Sequence, residues 1–375
     1  VSPTFAMEVC KNKVSKSSSA LLESAFRNPP FSSGVYTWWH WMNGNITKDG
    51  ITRDLEAMKA NGIAGYQLFE AGSGIPIGPV ESLSDEWVDL ILHTLKESER
   101  LGLEFAMHNC PGWSSSGGPW ITPDKAMQII TWSETKITGG KQVRIQLPTP
   151  KHMFDYYIDT YCLAIPANMK VIPRLSILEL SNRLDKDGVL TWDVPTGEWL
   201  IMRFGQTAKD QKNKSAPSKS TGLDCDKFST EALDYHLNCM FKRLMPAMEK
   251  IAKHSKIGLL IDSYETGDQD WTSDMPAYFE QSHGYELYPF LPVLANKIVE
   301  SEESTKRFLF DFRRVRADMF AERYYGHFQK RCKEKGIITY TEPYGGNMME
   351  ELQVAQQLDI NMGEFWCGQT VLWAN

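Results

Sequence analysis

The sequence predicts an α/β fold: a (β/α)8 TIM-type barrel, truncated at its C-terminal end, with an inserted antiparallel β module. Three observations lead there. Short apolar strands alternate with amphipathic helices of ten or more residues, first near the start of the chain and again in its second half, which is the rhythm of parallel β/α units. The strands are nearly continuous apolar runs, as expected of a sheet covered on both faces. The rival architecture, an open doubly wound sheet, lacks its phosphate fingerprint: no G-x-G-x-x-G follows a strand and opens a helix, and no Walker loop occurs.

Residues 1–30 form a lead-in, polar between 11 and 19 and broken by Asn28-Pro29-Pro30. The first part of the barrel occupies 31–130. Residues 35–41 (VYTWWHW) are β-branched and aromatic, hence a strand, and Asn43-Gly44-Asn45 is a turn. Thr47 or Asp49 caps a helix to Ala60, with Ile51, Leu55 and Met58 at helical spacing and Asn61-Gly62 as its stop. Residues 63–69 (IAGYQLF) make the second strand. Ser84 caps a helix carrying Trp87, Leu90, Ile91, Leu95 and Leu101, and Gly102 ends it before the third strand, 103–108 (LEFAMH).

From 131 to 207 the rhythm changes to short strands (142–147, 156–165, 189–194 and 199–204) separated by Gly, Pro and Asp-Gly breakers, with at most a short helix near 175–180. This is the inserted β module. Residues 208–221 (KDQKNKSAPSKSTG) have the composition of a disordered linker. The second part of the barrel, 208–375, continues with a helix over 230–254, a strand at 256–262 (KIGLLID) and a mostly helical stretch, 274–335, with a long arm from 306. Strands at 337–342 (IITYTE) and 358–364 (LDINMGE) flank a short helix at 350–357. Six strands are countable where a barrel needs eight, so the chain is expected to stop before the last unit or units of a longer polypeptide.

Composition narrows the function classes. Of 375 residues, 42% are hydrophobic and 23% charged, which suits a large core and excludes wholesale disorder. A net charge of −7 leaves no electrostatic footprint for nucleic acid or an anionic membrane. No apolar run approaches 18 residues, so no membrane span is expected. The seven Cys are scattered without a C-x-x-C pair, against a zinc ribbon or redox motif and in favour of free thiols. Twelve Trp, 14 Tyr and 17 Phe suit a carbohydrate site or plain core mass.

The chemistry concentrates at strand ends. Glu70, Glu265, Glu342 and Glu364 each end or follow a strand, and in a β/α barrel those ends share one mouth. Paired carboxyl groups there are what glycoside hydrolysis needs, one to protonate the leaving oxygen and one to activate water or attack carbon. A single such Glu is equally read as a helix cap or an Arg partner; four in equivalent positions argue for the site. The loop 108–123 (HNCPGWSSSGGPWITP) adds His108, Asn109 and Trp113, whose ring suits the C–H face of a sugar, although its Gly-Gly-Pro cluster is also ordinary turn chemistry. His40, Trp41, Asn43 and Gln67 extend the same rim. Gly112-Trp113-Ser114 is not a nucleophile elbow. No H-E-x-x-H or EF-hand spacing marks a metal, though clustered carboxylates could bind Ca2+.

Longer motifs carry a family resemblance. Trp39-x-Trp41-Met42-Asn43-Gly44-x-Ile46-Thr47 is one; the run from Gly117 to Pro123 with Ala126-Met127-Gln128 is a second. Others are Trp192-Asp193-Val194-Pro195-x-Gly197-Glu198-Trp199, Gly222-Leu223-Asp224-Cys225-Asp226-Lys227, Asp262-Ser263-Tyr264-Glu265 and Gly363-Glu364-Phe365-Trp366. From about residue 31 onward the chain resembles glycoside hydrolase family 106, the α-L-rhamnosidases. The resemblance implies an inverting, calcium-dependent hydrolase that releases terminal L-rhamnose from plant polysaccharides or glycosides, secreted or periplasmic, with further domains after the barrel. It implies Glu265 as general acid, Glu364 as general base and Glu342 as a third essential carboxylate, Asp262 and Glu342 as candidate calcium ligands, and Trp366 beside the substrate. The alternatives are a retaining glycosidase of another barrel family, an inactive carbohydrate-binding fragment and, more remotely, a metal-dependent esterase.

Overall fold

The computed structural model describes residues 16–113, 116–346 and 348–364. An exposed helix α1 (Lys16–Arg27) precedes β1 (Tyr36–Met42), α2 (Lys48–Ala60), β2 (Gly65–Ala71), α3 (Asp85–Leu101) and β3 (Glu104–His108). The helix starts follow the local chemistry. The Thr47 hydroxyl accepts from the Gly50 N–H and Ser84 from the Trp87 N–H, supplying one orphan donor of each first turn with a partner. Gly102, at φ +65°, ends α3 in the left-handed conformation that glycine adopts without penalty.

Seven strands follow before the next helix: β4 (Gln128–Thr138), β5 (Lys141–Gln146), β6 (Ile158–Pro166), β7 (Val171–Ile172), β8 (Leu178–Glu179), β9 (Val189–Val194) and β10 (Glu198–Ala208). The remainder comprises α4 (Thr230–Phe241), α5 (Met245–Ile251), β11 (Ile257–Ile261), α6 (Met275–His283), α7 (Leu291–Leu294), β12 (Ile298–Val299), α8 (Glu302–Met319), α9 (His327–Lys333), β13 (Ile338–Thr341), α10 (Glu351–Ala355) and β14 (Ile360–Asn361). A π-helical stretch, Phe320–Gly326, joins α8 to α9 into the long arm that the sequence suggests.

The central sheet has the order β1-β2-β3-β11-β13-β14, every neighbouring pair parallel. These are the six strands legible in the sequence, in sequence order, with none of the order reversal of a doubly wound sheet. The fold is mixed α/β; among the described residues β1 and β14 are the edges of this sheet and no strand pairing closes it into a barrel. β10 lies between β4 and β6 in an antiparallel sheet and is buried along almost its whole length. Its alternation serves two cores: Leu200, Met202 and Phe204 join the main core, while Ile201 joins Cys162, Ala164, Leu190 and Trp192 in a second one against the antiparallel β5–β9 pair.

Several expectations change. β4 is an eleven-residue strand paired with all of β10, missed because its polar Ser, Glu, Thr and Lys residues mask the alternation. The helix expected over 230–254 breaks into α4 and α5 where Pro246 follows Met245. In place of the short helix near 175–180 stand a 3-10 turn, Arg174–Ser176, the two-residue strand β8 and a second 3-10 turn, Ser181–Arg183. Residues 208–221 are not a disordered linker. The Asn213 amide donates to Pro111 O and Ser220 O and accepts from the Gly222 N–H, and the Trp113 and Gly72 N–H groups donate to Lys214 O and Ser215 O. This segment packs on loops through hydrogen bonds, which is why its composition is polar.

Candidate active site

Strand parity decides which side chains reach the mouth. The register pairs His40 with Phe69 and Trp38 with Gln67, so these four share one face of the sheet, while Trp39, Trp41, Leu68 and Glu70 share the other. Continuing across β3, β11 and β13, the first face carries His108, Leu260 and Tyr340, and beyond the strand ends Asp262 and Glu342. A cavity of about 280 Å³ opens there. One wall is aromatic: Trp38 and Trp113 both stack on Phe69, at 5.6 and 5.7 Å between ring centres, and His40 meets the same ring edge-on. The other wall is acidic: Asp262, Glu265, Glu342 and Glu364, with Ser263 between the first two.

The four carboxyl groups are not equivalent. Asp262 and Glu342 are 3% exposed and hydrogen-bonded to each other. Burial and the facing Glu342 charge push Asp262 up to about 9, and burial raises Glu342 from its ordinary value, so the pair favours holding a proton between them. The Tyr344 hydroxyl donates to Glu342 Oε2 at 2.7 Å. Glu265 stands at the rim, its side chain 41% exposed, accepting from the Ser263 hydroxyl at 3.2 Å and facing Lys214 Nζ at 3.6 Å. Lys214 belongs to the segment taken for a linker; Gly112 admits it, since a Cβ there, at φ +79°, would meet Lys214 O at 1.9 Å.

His108 lies beneath the cavity, packed edge-on against Phe69 at 4.3 Å, with Nδ1 3.7 Å from Asp262 Oδ2. Burial, and secondarily His40, push its pKa down to about 3, so it is neutral, and neither ring nitrogen makes a protein hydrogen bond of normal geometry. Gln67 supports the aromatic wall, accepting from the Trp38 indole N–H at 2.8 Å.

Other expected residues stand elsewhere. Trp41, 2% exposed, faces the helix layer as core. Glu70 faces the same way, takes a hydrogen bond from Ser82 and is pushed up to about 7 by burial, so it does not converge with the other carboxylates. Asn109 is also on that side, bonded to Leu260 O and His236. Asn43 spends its amide on Ile75 O in a turn at φ +50°. Trp366 lies outside the described residues. Trp41 and Glu70 share one cause: adjacent residues of a strand point to opposite faces, so neither follows its neighbour His40 or Phe69 into the cavity, whereas Asn43 and Asn109 lie just past strand ends, where their amides serve backbone and His236 contacts. A period of two counted from His40 selects Trp38, and from Gln67 selects Phe69, both missed in the sequence. Lys214 and Tyr344 gave no local signal.

Calcium fits this arrangement poorly. Among the described residues no three His, Cys, Asp or Glu side chains form a metal-binding group, and the proposed ligands Asp262 and Glu342 are engaged with each other. Cys162, Cys225, Cys239 and Cys332 are free thiols among the described residues, and no helix there is long and apolar enough to cross a membrane.

A family model described as alpha-L-rhamnosidase matches residues 27–157 and 151–372. A curated relative from Formosa agariphila, whose name proposes a beta-glucuronidase, is 41% identical over a 378-residue alignment covering 92% of this chain and 32% of that protein. A rhamnosidase from Novosphingobium sp. PP1Y has the same fold, with a TM-score of 0.85 at 24% identity, over 93% of this chain and 50% of that one. The chain thus spans a third to a half of the length of these relatives.

Proposed function

The chain belongs to glycoside hydrolase family 106, the α-L-rhamnosidases, and we propose that it is the catalytic part of a hydrolase releasing terminal α-L-rhamnose with inversion. The observation that carries this is the cavity itself: carboxyl groups from three neighbouring strand ends face an aromatic wall across a space large enough for one sugar ring. In this reading Glu265 protonates the leaving oxygen and Glu364 activates the water, with Glu342 and Asp262 forming the protonated floor between them. Plant polysaccharides or glycosides, secretion, and closure of the six-stranded sheet into a barrel by further chain are parts of the same proposal.

A neutral deoxy sugar suits the cavity better than a glucuronide. A uronate carboxylate in the central position would meet four acidic side chains, and the described lining residues include no Lys or Arg. The Trp38, Phe69 and Trp113 rings offer instead a surface for a methyl group and C–H faces. A second assignment of the acid is favoured by one observation. Burial raises the Glu342 carboxyl and so favours its protonated form, whereas Glu265 has an ammonium beside it. Leaving-group dependence separates the two: loss of the acid spares substrates with good leaving groups, while loss of the base spares none.

The test is release of p-nitrophenol from its α-L-rhamnoside and β-D-glucuronide, by this chain and by a C-terminally extended form, with the anomer of the first-formed sugar read by NMR. Turnover of the rhamnoside to the inverted anomer is expected. Turnover of the glucuronide alone, or retention, would overturn the reading. Addition of EDTA decides calcium separately: loss of activity restored by Ca2+ would show that the arrangement of Asp262 and Glu342 changes when the ion binds.

A further inference from the structure

A basic strip borders the acidic cavity. Residues 209–219 carry Lys209, Lys212, Lys214 and Lys219 against Asp210 alone, in a chain of net charge −7. The backbone of the strip is pinned to its surroundings. The Lys209 N–H donates to Met127 O and the Asn213 N–H to Gly222 O, while Gln211 O, Lys214 O and Ser215 O accept from the Asp224, Trp113 and Gly72 N–H groups. Ordering such a segment costs backbone entropy, and little apolar burial offsets it: within 209–219 only Asn213 and Pro217 are buried. The side chains left facing solvent are charged, with Lys212, Lys214 and Lys219 exposed.

Lys214 stands where the two walls of the cavity meet. Its carbonyl holds the N–H of Trp113, the residue whose ring belongs to the aromatic wall, at 3.2 Å. Its Nζ lies 3.6 Å from Glu265 Oε2 on the acidic wall. That separation is longer than a hydrogen bond, and loose, half-exposed pairs of this kind contribute little to stability. From there the strip follows the loop after β11 away from the cavity. Lys209 Nζ donates to Asp268 O at 2.5 Å, and a Cβ on Gly267 would lie 3.4 Å from that Nζ and 3.8 Å from Gln211 Oε1.

We propose that Lys214 determines specificity on the leaving-group side, and that the sugar released there is anionic, a uronate or a sulfate ester whose charge the ammonium receives. The proposal rests on the functional reading above, in which Glu265 protonates the leaving oxygen. A sugar departing past Glu265 comes within reach of the ammonium beside it. As the acid, Glu265 enters the reaction protonated, so the charge a leaving sugar meets at this point is that of Lys214. The site then sorts charge by depth. The inner position, walled by Asp262, Glu265, Glu342 and Glu364, rejects an anion, and the mouth selects one.

The test uses three rhamnosyl disaccharides whose leaving sugar is glucose, glucuronic acid or glucose 6-sulfate, cleaved by the active form of the protein. At low salt kcat/KM for at least one anionic leaving sugar is expected to exceed that for glucose roughly threefold to tenfold, and the preference should shrink at about 1 M salt. Lys214→Gln should bring the ratio close to one, Lys214→Arg should keep it and Lys214→Glu should invert it. A ratio of two kcat/KM values does not depend on how much enzyme is folded. An effect of Lys214 on Glu265 alone would move all three substrates alike and cancel. Which anion is preferred tells carboxylate from sulfate recognition. A wild-type ratio near one, or a ratio that Lys214→Gln leaves unmoved, would overturn the proposal. A protein that cleaves another glycoside but no rhamnoside would sink the functional reading instead, and the same three leaving sugars on that glycoside would still decide the role of Lys214.

Discussion

Two clusters of buried acids lie on either side of the loop after β3, and they solve the same electrostatic problem differently. Behind the loop, Asp224 pairs with Lys227, which is 0% exposed; the ammonium also donates to the Ser116 hydroxyl at 2.9 Å and Cys225 O at 3.2 Å and lies over the Tyr324 ring. Asp226, next to it, takes hydrogen bonds from Gln269, Thr272 and the Phe228 N–H. In front of the loop, Asp262 and Glu342 have each other, and Glu265 and Glu364 face the same cavity. The first cluster is paired with a cation and donors of the protein itself, Asp224 Oδ2 alone lacking a hydrogen-bond partner among the described residues, and it holds the Gly222–Lys227 turn in place. The second gathers like charges around open space, an arrangement that costs stability and is kept where a substrate or a proton has to be accommodated. A buried acid is therefore uninformative by itself; the identity of its partner separates scaffold from site.

The largest expected effect sharpens this contrast. Glu364→Gln should lower kcat roughly 10²–10⁴-fold while leaving the thermal midpoint unchanged or raised, since a like charge is removed. Kinetics on a good leaving group and calorimetry together check it; a full rate would remove Glu364 from the chemistry. The opposite pattern is expected behind the loop. Lys227→Met leaves Asp224 buried without its cation and should cost about 3–5 kcal/mol of stability, with kcat per folded molecule near normal, as urea titration and active-site normalised rates would show. Adding Asp224→Asn should recover part of the loss. Were Lys227→Met to keep its stability and lose turnover, the two clusters would have to exchange roles.

The smallest effect concerns Glu70, an acid of the same strands turned to the opposite face. Its ordinary value of 4.5 rises to about 7 on folding through burial, offset in part by Ser82 and Trp87. The folded chain therefore binds the proton more tightly than the unfolded chain. This contribution is complete below about pH 4.5 and fades as the pH rises through 7, on the order of 3 kcal/mol in all. Glu70→Gln should flatten that slope relative to the parent between pH 5 and 8, read as the difference between two denaturant series, with little change in kcat. An unaltered slope would mean that Glu70 stays ionised in its pocket.

Much of this was legible in the sequence because it rests on local signals. The six parallel strands are apolar runs bounded by caps and glycines: Ser84 and Gly102 delimit α3 through hydrogen bonds and backbone conformation that depend on a few neighbouring residues. The placing of Glu265, Glu342 and Glu364 after strands was visible for the same reason. What the sequence could not reveal needed partners far along the chain. Residues 208–221 look unstructured until the loops they bond to are present. Lys214 reaches Glu265 across 51 positions. The face on which Trp38, Trp41, Phe69 or Glu70 ends up was constrained by alternation but not chosen by it, since both faces of this sheet are largely apolar. The sequence determined the elements, their order and the strand ends where acids stand, because those follow from short-range propensity and capping. The tertiary structure alone decided which acids share a cavity, which share a proton and which are merely buried, because those depend on distances between strands that the chain visits far apart.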